Sequence, residues 1–283
     1  MKLMIRAHDL GVKGEDNIVK KLDEWKLDGL QLVAYKAIDG VTYSVGSLTE
    51  DRAEHIAKTL ADAGKEISLV GAYFNPVHPD AEKIAHGEKM FREYLSLSKH
   101  LACPIVGSET GSYMGDPWGY HEDNRTDEAR ARVVKTFREL ADYAKSIGAS
   151  VAIEGAYNHV CYSPDILYRA VKEIDRDNVR VIFDLYNYLD ISNYTSAYSI
   201  LRRGHELFGS EILLYHLKDF TVEDGKLRQC AVGQGVLDYK CILGEIYAHN
   251  KDAVLVFEGT VGADIPSSVQ FVRNIINQIK TEQ

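Results

Sequence analysis

Four residues of types that bind metal ions each follow directly after a short apolar segment in the second half of the sequence. They are Glu154, Asp184, His216 and Glu258, and three apolar residues precede each of them. Successive members are separated by 30, 32 and 42 residues, the length of one strand and one helix. An isolated acidic residue in such a position is typically a helix cap or an ion-pair partner. The recurrence after four apolar segments favours a shared metal site instead.

The chemistry of such a site follows from its charges. Three carboxylates brought together away from water repel one another, and a divalent cation removes that cost. Three oxygen donors and one imidazole, with no thiolate, favour Mn²⁺, with Mg²⁺, Co²⁺ or Zn²⁺ as alternatives. We therefore expect one divalent metal ion as the cofactor.

The elements that would position these residues alternate along the chain. Short apolar segments typical of strands buried on both faces lie at residues 3–5, 29–33, 67–73, 104–106, 151–153, 179–183, 212–215 and 254–257. The residues between them have helical periodicity, as at Ile18, Leu22 and Trp25. A helix is predicted over residues 80–101 with Pro79 in its first turn, and Ser267 or Ser268 is predicted to cap the last helix.

Eight strands alternating with eight helices predict an α/β fold, a single-domain (β/α)8 TIM barrel of parallel strands over residues 1–283. A doubly wound open sheet is the alternative, and it would require a glycine-rich phosphate loop after the first strand. Residues 6–11 are not such a loop. In a barrel, the ends of the strands meet at one face, so the four candidate ligands are expected to converge there.

Composition limits the partners. The 33 basic and 42 acidic residues give a net charge of −9, which argues against a nucleic-acid partner. The sequence has neither an apolar run long enough for a membrane span nor a signal-peptide segment at its start. Its four cysteines form no CxxC pair, which is typical of the reducing cytoplasm. We expect a cytoplasmic protein that acts on a small molecule, with homo-oligomerisation left open.

The motifs around the four residues resemble those of xylose isomerase-like TIM barrels, the sugar (phosphate) isomerase/epimerase family. The matching segments are Ile153-Glu154, Phe183-Asp184, His216-Leu217-Lys218-Asp219, Gly233-Gln234-Gly235 and Phe257-Glu258-Gly259. This resemblance implies a metal ion bound by Glu154, Asp184, His216 and Glu258. It also implies that Glu154 and Glu258 remove and return the substrate proton.

The resulting functional prediction is a metal-dependent sugar or polyol isomerase or epimerase. It would abstract a proton next to a carbonyl and pass through an enediolate. An inosose-type dehydratase with the same site is the main alternative. An endonuclease IV-like nuclease fits less well, because the net charge is negative and these four positions hold a single histidine. A non-catalytic ligand-binding barrel is a further alternative.

Two positions depart from the ketose 3-epimerases that the chain resembles. Those enzymes have a histidine three residues after the metal-binding aspartate, where this chain has Asn187. They also have an arginine six residues after the metal-binding histidine, where this chain has Val222. Both differences favour a polyol substrate other than a free ketose.

Loops that follow the predicted strands contain further candidates for substrate binding: His159, Asn187, Lys218, His78, Glu109 and Trp118. Each has a plainer interpretation, as a surface loop residue, an ion-pair partner, a helix cap or a buried polar brace. Trp118 lies in the aromatic, glycine-punctuated segment 113–121, which is typical of a lid or a sugar-stacking wall. A dimer contact is the alternative for that segment.

Overall fold

The computed structural model describes residues 1–282, and in this part of the chain eight parallel strands close into a barrel. In chain order the barrel strands are β1 (Lys2–Arg6), β2 (Gly29–Leu32), β3 (Glu66–Gly71), β4 (Ile105–Glu109), β5 (Ser150–Glu154), β6 (Val179–Asp184), β7 (Ile212–Leu217) and β10 (Val254–Phe257). Their order around the barrel is β1-β10-β7-β6-β5-β4-β3-β2. The predicted single-domain (β/α)8 fold is confirmed, and the open doubly wound sheet is wrong.

Helices surround this barrel and connect its strands. They are α1 (Glu15–Glu24), α2 (Ala34–Ala37), α3 (Glu50–Asp62), α4 (Ala81–Leu97), α5 (Asp127–Ser146), α6 (Pro164–Ile174), α7 (Ala197–Phe208), α8 (Tyr239–His249) and α9 (Asp264–Glu282). Single 3-10 turns lie at Ala7–Leu10, Glu122–Arg125, Tyr186–Tyr188, Tyr194–Ser196 and Gly209–Glu211. None of the helices within residues 1–282 is both long and apolar enough to cross a membrane.

Two predicted helix starts are wrong. Asp80 caps α4, because its side chain accepts a hydrogen bond from the backbone N–H of Glu82, so Pro79 lies before the helix and not in its first turn. The last helix starts at Asp264, so Ser267 and Ser268 lie inside it. The Ser268 hydroxyl donates to the carbonyl of Val232, which ties the helix to the loop before α8 instead of capping it.

A two-stranded antiparallel hairpin, β8 (Asp219–Glu223) and β9 (Lys226–Cys230), follows β7 and was not predicted. Its residues are largely exposed and polar, so they give no apolar segment. The signal that could have found it is Asp224-Gly225, where both residues have positive φ, 50° and 69°. An Asp-Gly pair is a preferred two-residue hairpin turn.

The barrel interior contains a compact apolar cluster that supports the site. Its buried members come from six strands: Met4, Leu69, Ala152, Ile182, Leu214 and Val256. Successive side chains along a strand point to opposite faces, so the residue two positions further on points inward again, nearer the strand end. The pleat of the strands therefore fixes which residues form the next inward-facing layer, towards the carboxyl ends of the strands.

Candidate metal centre and active site

The layer above the apolar cluster contains the four predicted metal ligands. Glu154, Asp184, His216 and Glu258 each lie two positions beyond a member of that cluster on β5, β6, β7 and β10. One ligand atom from each lies within 4.8 Å of all the others. Three of the residues are buried, and the Glu258 side chain is 13% exposed. The predicted convergence at the carboxyl ends of the strands is confirmed as geometry.

The imidazole of His216 has a fixed orientation in this group. Its Nδ1 lies 2.8 Å from Glu258 Oε2, 3.2 Å from Glu154 Oε1 and 3.5 Å from Asp184 Oδ2. Its Nε2 donates to the side-chain oxygen of Gln31 at 2.7 Å. The Gln31 amide in turn donates to the hydroxyl of Tyr73 at 2.7 Å. Nδ1 is thereby aimed at the centre of the carboxylates, the arrangement that orients a histidine toward a metal.

The donor set and its charges fit a divalent cation. Asp184 Oδ2 is buried without a well-aligned hydrogen bond, although Lys218 Nζ lies 2.8 Å away. Burial lowers the pKa of His216, but Glu154 and Glu258 more than compensate and hold it well above its ordinary value. Burial also lowers the pKa of Lys218, and Asp184 and Glu258 raise it overall. The carboxylates thus favour a positive charge at this point. A divalent metal ion bound by Glu154, Asp184, His216 and Glu258 would supply that charge.

The two glutamates differ in their surroundings. Burial raises the pKa of Glu154 to about 7 against the opposing effect of His216. Burial would raise the pKa of Glu258 too, but Lys218, His216 and Arg6 hold it well below its ordinary value. Oε1 of Glu258 contacts two cationic groups, Arg6 Nη1 at 2.7 Å and Lys218 Nζ at 2.8 Å. Glu258 is therefore held as an anion, whereas the charged form of Glu154 is stabilised less strongly.

Asn187 and Lys218, both predicted to bind substrate, lie in this same group. The Asn187 amide donates to Glu154 Oε1 at 2.8 Å, and its oxygen accepts from Lys218 Nζ at 2.9 Å. The backbone N–H of Asn187 also donates to Asp184 Oδ1 at 2.9 Å. The structure thus brings both side chains to the candidate metal ligands, and their contact with substrate remains a prediction.

Arg6 and Asp9 are parts of the site that sequence reasoning missed. Besides its contact with Glu258, Arg6 donates through Nε to Asp9 Oδ2 at 2.9 Å. The same Asp9 oxygen accepts the backbone N–H of Gly259 at 2.8 Å, which fixes the residue after Glu258. Arg6 lies two positions after Met4, and Gln31 lies two positions after Gly29. A polar residue in an otherwise apolar strand is the signal in the sequence, and the register in which Arg6 pairs with Gln31 places both on one face of the sheet.

The sequence comparisons can be set beside this geometry. A family model for xylose isomerase-like TIM barrels matches residues 19–275. The chain belongs to the xylose isomerase-like TIM barrel family. The family that the motifs predicted is therefore confirmed. A comparison with curated proteins gives no match.

Solved structures with this xylose isomerase-like fold include three informative neighbours. A D-tagatose 3-epimerase-like protein has a TM-score of 0.77 at 16% identity, covering 100% of this chain and 99% of its own. The 3-keto-D-glucoside 4-epimerase YcjR of E. coli has a TM-score of 0.72 at 18% identity, covering 99% of each chain. IOLI protein with a bound zinc atom has a TM-score of 0.74 at 15% identity, covering 100% of this chain and 99% of its own. At these identities the likeness shows the fold.

The remaining predicted residues lie outside the group of four candidate metal ligands. Glu109 pairs in register with Glu154 on the neighbouring strand, and burial raises the pKa of Glu109 to about 7. His159 is buried on the loop after Glu154, and burial lowers its pKa to about 4. His78 and Trp118 line a cavity beside the centre. His78 Nδ1 also accepts the backbone N–H of Asp80, so the predicted alternative of helix support applies as well. Substrate contact by these residues remains a prediction.

Proposed function

We propose that this protein is a divalent metal-dependent isomerase or epimerase of sugars or polyols. The observation that supports the proposal is the convergence of Glu154, Asp184, His216 and Glu258 within 4.8 Å at the carboxyl end of a xylose isomerase-like barrel. That end of the barrel is where enzymes of this architecture place their chemistry. The named epimerases among the structural neighbours point to the same class of reaction.

The reaction requires removal of a proton from the carbon next to a carbonyl. When bound by the four residues, a divalent cation supplies polarisation of the substrate oxygens and stabilises enediolate charge, and the oxygen-rich donor set favours Mn²⁺. Glu154 and Glu258 are separated in the barrel by β6 and β7, so their carboxylates approach the centre from different sides. One carboxylate removes the proton and the other returns it, which inverts the carbon.

Neighbouring side chains give Glu154 and Glu258 different surroundings for the removal and the return of the proton. Arg6 and Lys218 bind Glu258 Oε1 and keep that carboxylate anionic. Asn187 orients Glu154 through its amide and leaves Glu154 Oε2 for the substrate. Lys218 also presents an ammonium group beside the substrate position, suited to a hydroxyl or a developing oxyanion.

An inosose-type dehydration by the same site is the second candidate. It is favoured by Glu154, because burial raises its pKa to about 7 and its protonated carboxyl can therefore donate to a departing hydroxyl. Isomerisation exchanges a carbon-bound proton with solvent and leaves the mass of the substrate otherwise unchanged. Dehydration removes one water, so mass spectrometry of the products separates the two reactions.

The test of the metal-dependent function uses the Asp184→Asn variant, which keeps the shape of the side chain and removes a charged ligand. The matched control is Glu66→Gln, at the opposite end of the barrel in a surface pair with Lys2. After loading with Mn²⁺ and dialysis, we expect about one ion per chain in the parent and control, and less than about a tenth of that in Asp184→Asn. Deuterium exchange into a panel of ketoses and inososes is expected to follow occupancy. Equal occupancy in all three proteins, or exchange that persists without metal, would refute the proposal.

A further inference from the structure

A cavity of about 550 Å³ lies at the same end of the barrel as the metal centre, on the side of β2, β3 and β4. Residues that follow these three strands line it, among them Tyr35, Tyr43, Tyr73, His78 and Trp118. The candidate metal ligands lie at the ends of four of the other strands, β5, β6, β7 and β10. The carboxyl face of the barrel therefore has two halves, one with the ligands and one with this cavity.

Two side chains connect the halves. Tyr73 lines the cavity, and its hydroxyl accepts the hydrogen bond from Gln31, which itself accepts from the ligand His216. The indole of Trp118 packs edge-on against His159, on the loop after Glu154, with ring centroids 5.7 Å apart. The cavity thus adjoins the metal centre, and a ligand extending from the centre toward β3 and β4 enters it.

The volume exceeds the needs of one sugar. A six-carbon sugar of about 12 heavy atoms occupies at most roughly 360 Å³, even if each atom takes the ~30 Å³ of a water molecule. The reacting carbons must lie at the candidate ligands, which do not line the cavity. Even if the rest of the reacting ring lies inside the cavity, roughly 190 Å³ of the 550 Å³ remains for a second group. Its size is in the range of ligand pockets generally, about 300–1,000 Å³.

The lining has the chemistry of a site for a neutral, hydroxyl-rich ring. Tyr35 and Tyr43 line the cavity and pack against each other with ring centroids 4.9 Å apart. The faces of such rings suit the apolar C–H face of a sugar. Polar side chains surround these faces and can bind the hydroxyl edges: His78, Asp80, Glu82, Lys83, His86 and Asp116. Three of these are carboxylates and one is a lysine that pairs with Asp116, so the lining with neutral histidines has a negative formal charge, which disfavours a phosphate.

We propose that this cavity binds a second, uncharged sugar ring, so that the substrate is a glycoside instead of a free or phosphorylated monosaccharide. The inference rests on the proposed function for placing the reacting ring at the metal centre. The cavity makes a separate contribution to binding, and this separation allows an independent test.

The two tryptophans of the chain make the test direct. Trp25 lies directly after α1, on the connection that leads to the start of β2. The Trp25→Phe variant leaves Trp118 as the sole tryptophan, so its emission reports on the cavity. This protein is titrated with cellobiose, maltose and trehalose, and with glucose and glucose 6-phosphate, while Trp118 emission is recorded. We expect at least one disaccharide to change the emission saturably, with a Kd about tenfold or more below that of glucose. Glucose 6-phosphate is expected to bind no tighter than glucose.

Tyr43→Ala in the same background is expected to weaken the preferred disaccharide about tenfold and to change glucose binding less than about twofold. Tyr43 is 39% exposed, so its truncation is expected to preserve the fold. Asp184→Asn is expected to keep the preference for the disaccharide, because the cavity lies outside the ligand group. Disaccharides that bind no tighter than glucose would overturn the inference. If the protein prefers a disaccharide but catalyses deuterium exchange into none of the sugars tested, the proposed function is refuted and the inference about the cavity stands.

Discussion

The contact between Gln31 and His216 gives the sharpest test of how the proposed metal centre is built. Gln31 is fully buried and accepts from His216 Nε2 at 2.7 Å. In Gln31→Leu this acceptor is lost, and the buried N–H is left without a partner at a cost of about 1–3 kcal/mol. Loss of a partner that orients a metal-binding histidine lowers metal affinity about 10–100-fold, or ~1.4–2.7 kcal/mol.

The assay is competition for Mn²⁺ between the protein and a fluorescent chelator, with the thermal midpoint of the metal-free protein measured in parallel. Tyr73→Phe is the matched control, because it removes the hydroxyl that Gln31 donates to and leaves the bond to His216 in place. We expect a change below about threefold in that control. An affinity of Gln31→Leu within twofold of the parent would show that His216 is oriented by its carboxylate neighbours alone, contrary to our reasoning.

Two further predictions concern stability. Gly235→Ala places a Cβ against the Asp219 carboxylate and the carbonyl of Phe220, closer than real side chains approach, so we expect urea denaturation to show a loss of about 1–3 kcal/mol. Gly244→Ala in α8, where the added Cβ meets nothing within 4 Å, is the control and is expected to be neutral or stabilising. Burial lowers the pKa of His205 to about 4, from 6.5 in the unfolded chain, so protonation favours unfolding as the pH falls between these values. His205→Gln should therefore lose less thermal stability than the parent between pH 7 and pH 5. The control is His55→Gln, at an exposed histidine. Equal losses in the parent and in His205→Gln would contradict this reasoning.

The strand ends were predictable from sequence because burial on both faces makes barrel strands apolar. Glu154, Asp184, His216 and Glu258 interrupt that pattern at its last position, where polarity is conspicuous. Gln31 and Arg6 interrupt it as well, but the sequence alone does not show that their strands point the same way as the others. Their role depends on register around the barrel, where Met4 pairs with Gly29 and Arg6 with Gln31.

Local hydrogen bonds decide the roles of residues that the sequence pattern leaves open. Pro79 and Asp80 are both suited to a helix start, and the hydrogen bond from Glu82 N–H decides for Asp80. Asp219 follows Lys218 in the sequence motif that also contains His216. Its carboxylate instead accepts the backbone N–H groups of Gly233, Gly235 and Leu237 at 3.0, 3.0 and 3.2 Å. A buried carboxylate with three such donors braces the loop before α8, and no spacing rule distinguishes that role from a place in the site.

The cavity was predicted only in part, through His78, Trp118 and the aromatic segment 113–121, and the reason bears on how this barrel acquires specificity. The metal ligands lie at strand ends, whose positions are set by eight-fold pairing and by the apolar cluster beneath them. Tyr43 and Trp118 lie on long connections whose course depends on contacts such as those of Gly46 N–H with Glu93 and Asp116 with Lys83. Such loops can change without disturbing the ligand layer. If the second-ring subsite is correct, reaction class in this protein is set by the strands and substrate class by the loops after β2, β3 and β4. Exchanging Tyr43 should then alter which glycoside binds while leaving metal affinity as it was.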